Sequence, residues 1–247
     1  MNLTNKYFIL LTEVESTNNY ANQLVLSKAA EHGTVVLAQY QKKGRGQQGN
    51  CWESEFGKNM LASFILFPQL LTAAKQFYIS KIVSLALVDF LKTETNEVSV
   101  KWPNDIYIQN KKIAGILIEN SVKGVNISSA IIGIGLNLNQ EKFISEAPNP
   151  VSLKQITGKD YIVETVAGQI REYFFIWYEK LQAGCFNEID TTYFNQLFRA
   201  NEWALFSKEG KTFESKITGI GEFGQIILED RAGVFLEYMF KEVEFVI

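Results

Sequence analysis

Residues 98–137 read VSVKWPNDIYIQNKKIAGILIENSVKGVNISSAIIGIGLN, and this stretch decides the fold. Its apolar segments are rich in β-branched residues and predict four consecutive strands. The predicted strands span residues 98–102, 106–108, 113–119 and 125–137. Turn-forming residues lie between them, at 103–105, 109–111 and 122–124. Because such short connections join neighbouring strands of opposite direction, the stretch predicts a mainly antiparallel sheet.

The flanking sequence adds more strands, several helices and a second domain. Further strands are predicted at residues 7–11, 34–40 and 59–67. Helices are predicted from an N-cap at Ser16 or Thr17 to about Glu31, with Gly33 as a stop, and over 72–92, 152–157, 160–182 and 188–199. This mixture predicts an α+β fold. From Glu202 short β segments alternate with turns, so we expect one domain over residues 1–200 and a small β-barrel over 201–247.

Composition limits the classes of function. The net charge is −3 and the pI about 5.4, which argues against nonspecific binding to nucleic acid. Two cysteines and a single histidine argue against a disulfide framework, a zinc quartet and a histidine-based triad. The N-terminus is polar, and no run reaches the ~20 apolar residues that span a bilayer. We therefore expect a cytoplasmic protein that binds neither nucleic acid nor a membrane.

The segment from Gly44 to Ser54, GRGQQGNCWES, is the first candidate for a binding site. Three glycines in six residues allow the backbone to approach a ligand closely. Arg45 lies between two of them and offers a planar fork of donors to a carboxylate or phosphate. Trp52 follows and could cover a base or close a pocket. The spacing fits neither a P-loop nor a dinucleotide fingerprint, and a flexible hairpin with a solvated arginine is the alternative.

Three more segments carry candidate site residues. In Lys101-Trp102-Pro103-Asn104-Asp105, a turn at a strand end would hold Asn104 and Asp105 at the rim of the sheet, although such residues also form ordinary Asx turns. In KIAGILIE, Lys112 opens a strand and Gly115 is expected on the opposite face; a solvated lysine is the alternative. In Gly133-Ile134-Gly135-Leu136-Asn137, glycines within an apolar strand predict close approach by a ligand.

These four segments, in this order and spacing, resemble the biotin–protein ligase family, and Ser16-Thr17-Asn18 matches it as well. The resemblance covers roughly residues 7–200 and extends more loosely to the C-terminal part. It implies a class II synthetase-like catalytic domain of the biotin–lipoyl ligase type, with a mainly antiparallel sheet, followed by an SH3-like domain. Helix-turn-helix domains occur at the N-terminus of some members, but here the catalytic pattern starts by residue 7, so none is expected.

The resemblance also implies an activity and its partners. Members activate biotin with ATP as biotinyl-5′-AMP, then transfer biotin to a lysine of a biotin carboxyl carrier protein. The implied substrates are biotin and ATP with Mg²⁺, and the implied protein partner is the carrier domain of a carboxylase. A lipoate–protein ligase, or a biotin sensor without catalysis, is the alternative. The oligomeric state is open, with a homodimer through sheet edges as one option.

Individual roles carry over by position. The implied catalytic residues are Arg45, Lys112 and Asp105, and Asp105 is also the candidate Mg²⁺ ligand. The implied biotin-binding residues are Ser16, Thr17, Asn18, Gln41, Arg45, Gly46, Gln47, Lys112 and Gly115. The implied contacts to ATP or the adenylate are Trp52, Asn104, Lys112 and Asn137. The chain departs from many members at Gln47, Gln48 and Asn50, where they have further basic residues. In the family a basic group from the C-terminal domain can also reach the nucleotide, but no residue here aligns with it clearly enough to name.

Overall fold

A computed structural model describes residues 7–69, 71–144 and 149–246. Its centre is a seven-stranded sheet in the order β1-β2-β3-β7-β6-β5-β4. The strands are β1 (Phe8–Val14), β2 (Thr34–Gln41), β3 (Met60–Leu66), β4 (Val98–Lys101), β5 (Asp105–Ile108), β6 (Lys111–Lys123) and β7 (Asn126–Leu136). Only β1 and β2 pair in parallel, and every other neighbouring pair is antiparallel. The predicted mainly antiparallel sheet is confirmed.

Helices cover one face of this sheet and leave part of the other face open. The helices are α1 (Thr17–Leu26), α2 (Phe77–Lys92), α3 (Leu153–Thr157), α4 (Val163–Gln182) and α5 (Phe186–Asn195). Helices α2 and α4 supply most of the helical residues of one large core, which they share with alternate sheet residues such as Phe64 and Ile132. The intervening residues Ile65 and Ile131 face the other way and form a small cluster with Ala21 of α1. Since α1 is short, much of its side of the sheet remains available for a site.

Several helix boundaries differ from the prediction, and α4 begins at Val163 instead of residue 160. Helix α1 ends at Leu26 instead of Glu31, because the Ser27 hydroxyl donates back to the Gln23 carbonyl at 2.8 Å and Lys28 adopts a left-handed φ of 58°. Helix α2 begins at Phe77, since residues 73–75 form a separate 3₁₀ turn. Helix α5 spans Phe186–Asn195 instead of 188–199.

The C-terminal part forms a separate antiparallel sheet. Its strands are β8 (Trp203–Lys208), β9 (Lys211–Ile220), β10 (Ile226–Glu229), β11 (Phe235–Tyr238) and β12 (Glu244–Phe245), in the order β11-β10-β9-β8-β12. All four neighbouring pairs are antiparallel. The α+β fold with a small C-terminal β domain is thus confirmed, while the boundary between residues 200 and 201 stays a prediction. In the described ranges, no helix has the length and apolar character needed to cross a membrane.

The buried Trp102 connects the C-terminal sheet to the central sheet. The indole N–H of Trp102 donates to the Gly224 carbonyl at 2.7 Å, and the Trp102 ring contacts Phe240 at 5.3 Å between centroids. Gly224 lies between strands β9 and β10, and Phe240 lies between β11 and β12. The contact therefore holds the two sheets together.

Replacing Trp102 with phenylalanine is expected to lower the free energy of unfolding by about 1–3 kcal/mol. The reason is that the buried Gly224 carbonyl loses its donor while most of the ring packing remains. Urea unfolding followed by circular dichroism measures the change. Trp203→Phe, at a partly exposed tryptophan of β8, is the control and should change stability by less than about 0.5 kcal/mol. Equal stability of Trp102→Phe and the control would contradict the anchoring role.

Candidate active site

A cavity of about 180 Å³ opens on the α1 side of the central sheet. It is surrounded by the start of α1, the loop after β2, the start of β5, the first half of β6, the last part of β7 and one residue of the C-terminal part. The sequence-predicted residues that line it are Ser16, Thr17, Asn18, Gln41, Arg45, Gly46, Gln47, Trp52, Asn104, Asp105, Lys112 and Gly115. Segments separated by as many as a hundred residues therefore converge on one cavity.

The glycine-rich loop folds into a small closed hairpin beside the cavity. A bridge pairs Arg45 with Cys51, and the Gly46 N–H donates to the Asn50 carbonyl at 2.7 Å. The Trp52 N–H donates to the Gly44 carbonyl at 3.0 Å and closes the loop. These bonds fix the direction in which the Trp52 side chain leaves the loop, toward the sheet.

Glycines on β6 and β7 make room for this tryptophan. Gly115 and Gly135 are paired across the two strands. A Cβ atom on Gly135 would lie 2.3 Å from the six-membered ring of Trp52, and one on Gly115 would lie 2.9 Å from it. Gly133 makes similar room for Asn18, whose Oδ1 would be 2.5 Å from a Cβ there. The close approach predicted for Gly133 and Gly135 is made here by side chains of the protein itself.

Lys112 and Asp105 form an ion pair at the edge of the cavity. The Lys112 ammonium lies 2.7 Å from Asp105 Oδ1, at an angle that does not suit a hydrogen bond, and both side chains are about four-fifths buried. The prediction that Lys112 and Gly115 occupy opposite faces is wrong. The register between β5 and β6 shifts where Ile106 and Tyr107 face Ala114 and Lys112, so Ile113 is an extra residue. This bulge turns Lys112 to the side of Gly115, and its Cε would lie 3.5 Å from a Cβ there.

A hydrogen-bond network fixes the start of α1 against the sheet. The Gln41 side-chain oxygen accepts from the Thr17 N–H at 2.7 Å and the Thr17 hydroxyl at 3.1 Å. The fully buried Ser63 hydroxyl lies 2.8 Å from Thr17 Oγ1 and 2.6 Å from Asn18 Oδ1. Ser16 holds the predicted N-cap position, but its side chain makes no capping bond. Sequence reasoning missed Ser63, although a serine within the otherwise apolar strand β3 was a usable signal.

Arg45 is held at the rim of the cavity. One terminal guanidinium nitrogen donates to Glu119 and the other to the side-chain oxygen of Asn19. The second Glu119 oxygen accepts from Asn18 Nδ2 at 2.8 Å. The Arg45 and Glu119 side chains are each 39% exposed. The Glu119 carboxylate therefore links Arg45 of the loop to Asn18, which lines the cavity.

The two predicted asparagines differ in their positions. Asn104 Nδ2 donates to the Ile116 carbonyl at 2.9 Å and fixes the turn after β4 against β6, with Asn104 at the cavity wall. Asn137 is buried and donates to the Val151 carbonyl at 3.1 Å. It is not among the residues that line the cavity. A direct contact of Asn137 with a nucleotide stays a prediction.

Positive charge dominates the cavity. Lys241 of the C-terminal part lines it together with Arg45 and Lys112, whereas Asp105 is the one carboxylate of the lining within the described ranges. Lys241 is a basic residue of the C-terminal part that lies at the cavity, where the sequence alone had named none. Burial lowers the pKa of the nearby Lys101 ammonium. The negative charge of Asp105 offsets part of this shift, and the positive charge of Lys112 adds to it. Such a cavity favours an anionic ligand.

The donor set fits a metal ion only as a companion of a phosphate ligand. No group of three or more histidine, cysteine or acidic side chains could hold a metal within residues 7–69, 71–144 and 149–246. Asp105, the predicted Mg²⁺ ligand, is already paired with Lys112. Mg²⁺ commonly binds through phosphates and one or two carboxylates, and a single carboxylate here suits that mode.

The fold and cavity define an α+β domain with a cationic cavity that suits an anionic small molecule. Residues 10–137, more than half of the chain, match the model of the biotin/lipoate A/B protein ligase family. The chain is 31% identical to the biotin–[acetyl-CoA-carboxylase] ligase of Paracoccus denitrificans, over 91% of this chain and 95% of the relative. It is 30% identical to the bifunctional ligase/repressor BirA of Bacillus subtilis, over 90% of this chain and 69% of the relative. The chain belongs to the biotin/lipoate A/B protein ligase family.

Solved structures agree with this assignment. The biotin protein ligase of Aquifex aeolicus, solved with biotin and ATP, superposes with a TM-score of 0.80 and 26% identity. The alignment covers 98% of this chain and all of the Aquifex chain. Similarity therefore extends beyond the catalytic sheet into the C-terminal part, and the expected resemblance to biotin–protein ligases is confirmed.

Proposed function

We propose that this chain is a biotin–protein ligase that activates biotin as biotinyl-5′-AMP and transfers it to a lysine of a carrier protein. The observation that carries the proposal is the convergence of Arg45, Lys112 and Lys241 on one cavity. Relatives over nearly the whole chain bear the names of biotin ligases, and one was solved with biotin and ATP. The acceptor is a biotin carboxyl carrier domain of a carboxylase.

In the first step a carboxylate oxygen of biotin attacks the α-phosphorus of ATP and pyrophosphate leaves. At about 4 Å two unit charges repel by about 4 kcal/mol at an effective dielectric constant of about 20. Lys112, positioned by Asp105, lies where it can neutralise both anions, and Arg45 can hold the carboxyl–phosphate unit once it forms. Lys241 is available for the phosphate chain. The gain comes from positioning and charge stabilisation.

Biotin itself needs an apolar pocket with a few fixed polar groups. The polar groups assigned to it are those of the sequence prediction, at the start of α1, at Gln41 and along Gly46, Gln47 and Gly115. The network through Ser63 fixes Thr17 and Asn18 before a ligand arrives, which reduces the entropy lost on binding. Trp52 and Asn104 at the cavity, and the buried Asn137, are assigned to the nucleotide.

In the second step the lysine amine of the carrier attacks the acyl carbon of biotinyl-AMP. An amide bond forms, the bond to phosphate breaks, AMP leaves and the amine loses a proton. Mg²⁺ would enter with the triphosphate and would be held mainly by phosphate oxygens, with Asp105 as the carboxylate of the cavity lining. We also propose that residues 1–200 form the catalytic domain and 201–247 the domain that contributes Lys241.

The test is pyrophosphate release from Mg-ATP with biotin or with lipoate, followed by mass spectrometry of an added carrier domain. We expect biotin-dependent pyrophosphate and a carrier heavier by one biotinyl group. Lipoate-dependent turnover would reassign the chain to the lipoate ligases of the same family. Biotin binding without pyrophosphate release would indicate a sensor and would refute the catalytic roles of Arg45 and Lys112.

A further inference from the structure

We propose that Glu119 is a positioning residue that holds Arg45 at the rim of the cavity and releases it to the anion of the acyl-adenylate. This inference rests on the proposed function, since it concerns the ligand that Arg45 receives. Glu119 is not among the residues that line the cavity, and neither is Asn19. Both bind the guanidinium of Arg45, so the two N–H groups that they hold are directed to the rim of the cavity.

The argument begins with the donors of Arg45. A bidentate contact with a carboxylate or phosphate uses two parallel N–H groups of the planar fork. In this structure one terminal nitrogen is bonded to Glu119 and the other to Asn19. Each edge of the fork includes at least one of these nitrogens. Glu119 and Asn19 take only two of the five N–H groups of the guanidinium, so they do not use up its donors; they fix its charge and its direction at the rim, and an anion in the cavity has to compete with Glu119 for both.

Glu119 also binds Asn18, which lines the cavity. Its second oxygen accepts from Asn18 Nδ2 at 2.8 Å, and Asn18 in turn is fixed by Ser63. Asn18 lies against Gly133, on the same face of β7 as Gly135, which contacts Trp52. When Arg45 leaves, Glu119 keeps its bond to Asn18. The carboxylate can thus release the loop cation without loss of the order at the start of α1.

The position of Arg45 in the chain makes this contact important. It is the only cation between Gly44 and Trp52, because Gln47, Gln48 and Asn50 are uncharged. No second loop cation could bind the adenylate while Arg45 stays with Glu119. The Arg45–Glu119 pair therefore competes directly with the ligand for the one loop charge.

The experiment compares the unaltered chain with Glu119→Gln, which removes the charge but keeps an acceptor for Asn18. Calorimetry measures binding of two probes, the uncharged biotinamide and the anionic phosphodiester of biotinol and AMP. We expect the variant to bind the phosphodiester about two- to fivefold more tightly, the value of one half-exposed ion pair, and biotinamide equally well. The gain should vanish in an Arg45→Ala background.

Glu214→Gln is the matched control, since it breaks a similarly exposed ion pair with Arg231 in the C-terminal sheet. It should leave both affinities unchanged. Phosphodiester affinity that is unchanged or weaker in Glu119→Gln, or an equal change for both probes, would overturn the inference alone. Failure of the unaltered chain to bind the phosphodiester would overturn the proposed function and this inference with it.

Discussion

Replacing Lys112 with alanine is expected to slow adenylate formation about 100- to 1,000-fold, the usual cost of removing one preorganised electrostatic donor. Lys112 lies at the cavity, about four-fifths buried, and its charge is directed by Asp105 at 2.7 Å. Without it, the carboxylate of biotin and the α-phosphate lose the cation that offsets their repulsion. Asp105 would also face both anions unpaired, which adds to the barrier.

Biotin-dependent pyrophosphate release under single-turnover conditions measures this effect. Lys111→Ala is the control, because Lys111 is the exposed neighbour on the same strand and should change the rate little. Lys112→Arg keeps the charge but has a different shape, so partial recovery is expected if charge dominates. Circular dichroism should show a folded variant. A rate for Lys112→Ala within about threefold of the control would refute the role of Lys112, since that difference is under about 1 kcal/mol.

Much of the fold was predictable because its signals are local. The four segments of residues 98–137 carry their own turn chemistry, and short turns leave antiparallel pairing as the simple solution. The change of pattern after Glu202 likewise predicted the second sheet. Helix ends were predicted less well, since the end of α1 depends on a serine bond and a left-handed lysine. A lysine in that conformation has no sequence signature.

The candidate site was predictable where residue type and spacing carry the chemistry. The residues drawn from the glycine loop, the turn after β4 and the start of β6 share one cavity. The orientation of Lys112 was not predictable, because strict alternation along a strand assumes no bulge and the register shift at Ile113 breaks it. The position of Lys241 at the cavity depends on long-range contacts between the C-terminal sheet and the rest of the chain. The partners of Arg45 likewise arise only in the folded chain.

Replacing Gly135 with alanine is expected to lower the rate of adenylate formation about 10- to 100-fold while changing stability little. The new Cβ would lie 2.3 Å from the Trp52 ring, a distance that real atoms do not tolerate. The buried strand cannot move away, so the tryptophan and its loop must shift from the strand pair. A displacement of about 1 Å at a positioning element can cost about 100-fold in rate. Gly135 has no positive φ, so alanine itself adds no backbone strain.

A double-mutant cycle decides whether the effect passes through Trp52. Pyrophosphate release is measured for Gly135→Ala, Trp52→Ala and the double variant, with Gly219→Ala of β9 as a strand-glycine control far from the cavity. At Gly219 the nearest atom is a side-chain carbon of Ile227 at 3.3 Å, so that variant should retain its activity. If the Cβ acts by displacing the ring, it should cost little once the ring is gone. An equal loss in both backgrounds would mean that Gly135 is needed for direct approach of the ligand. It would contradict the explanation that the new Cβ acts by displacing Trp52.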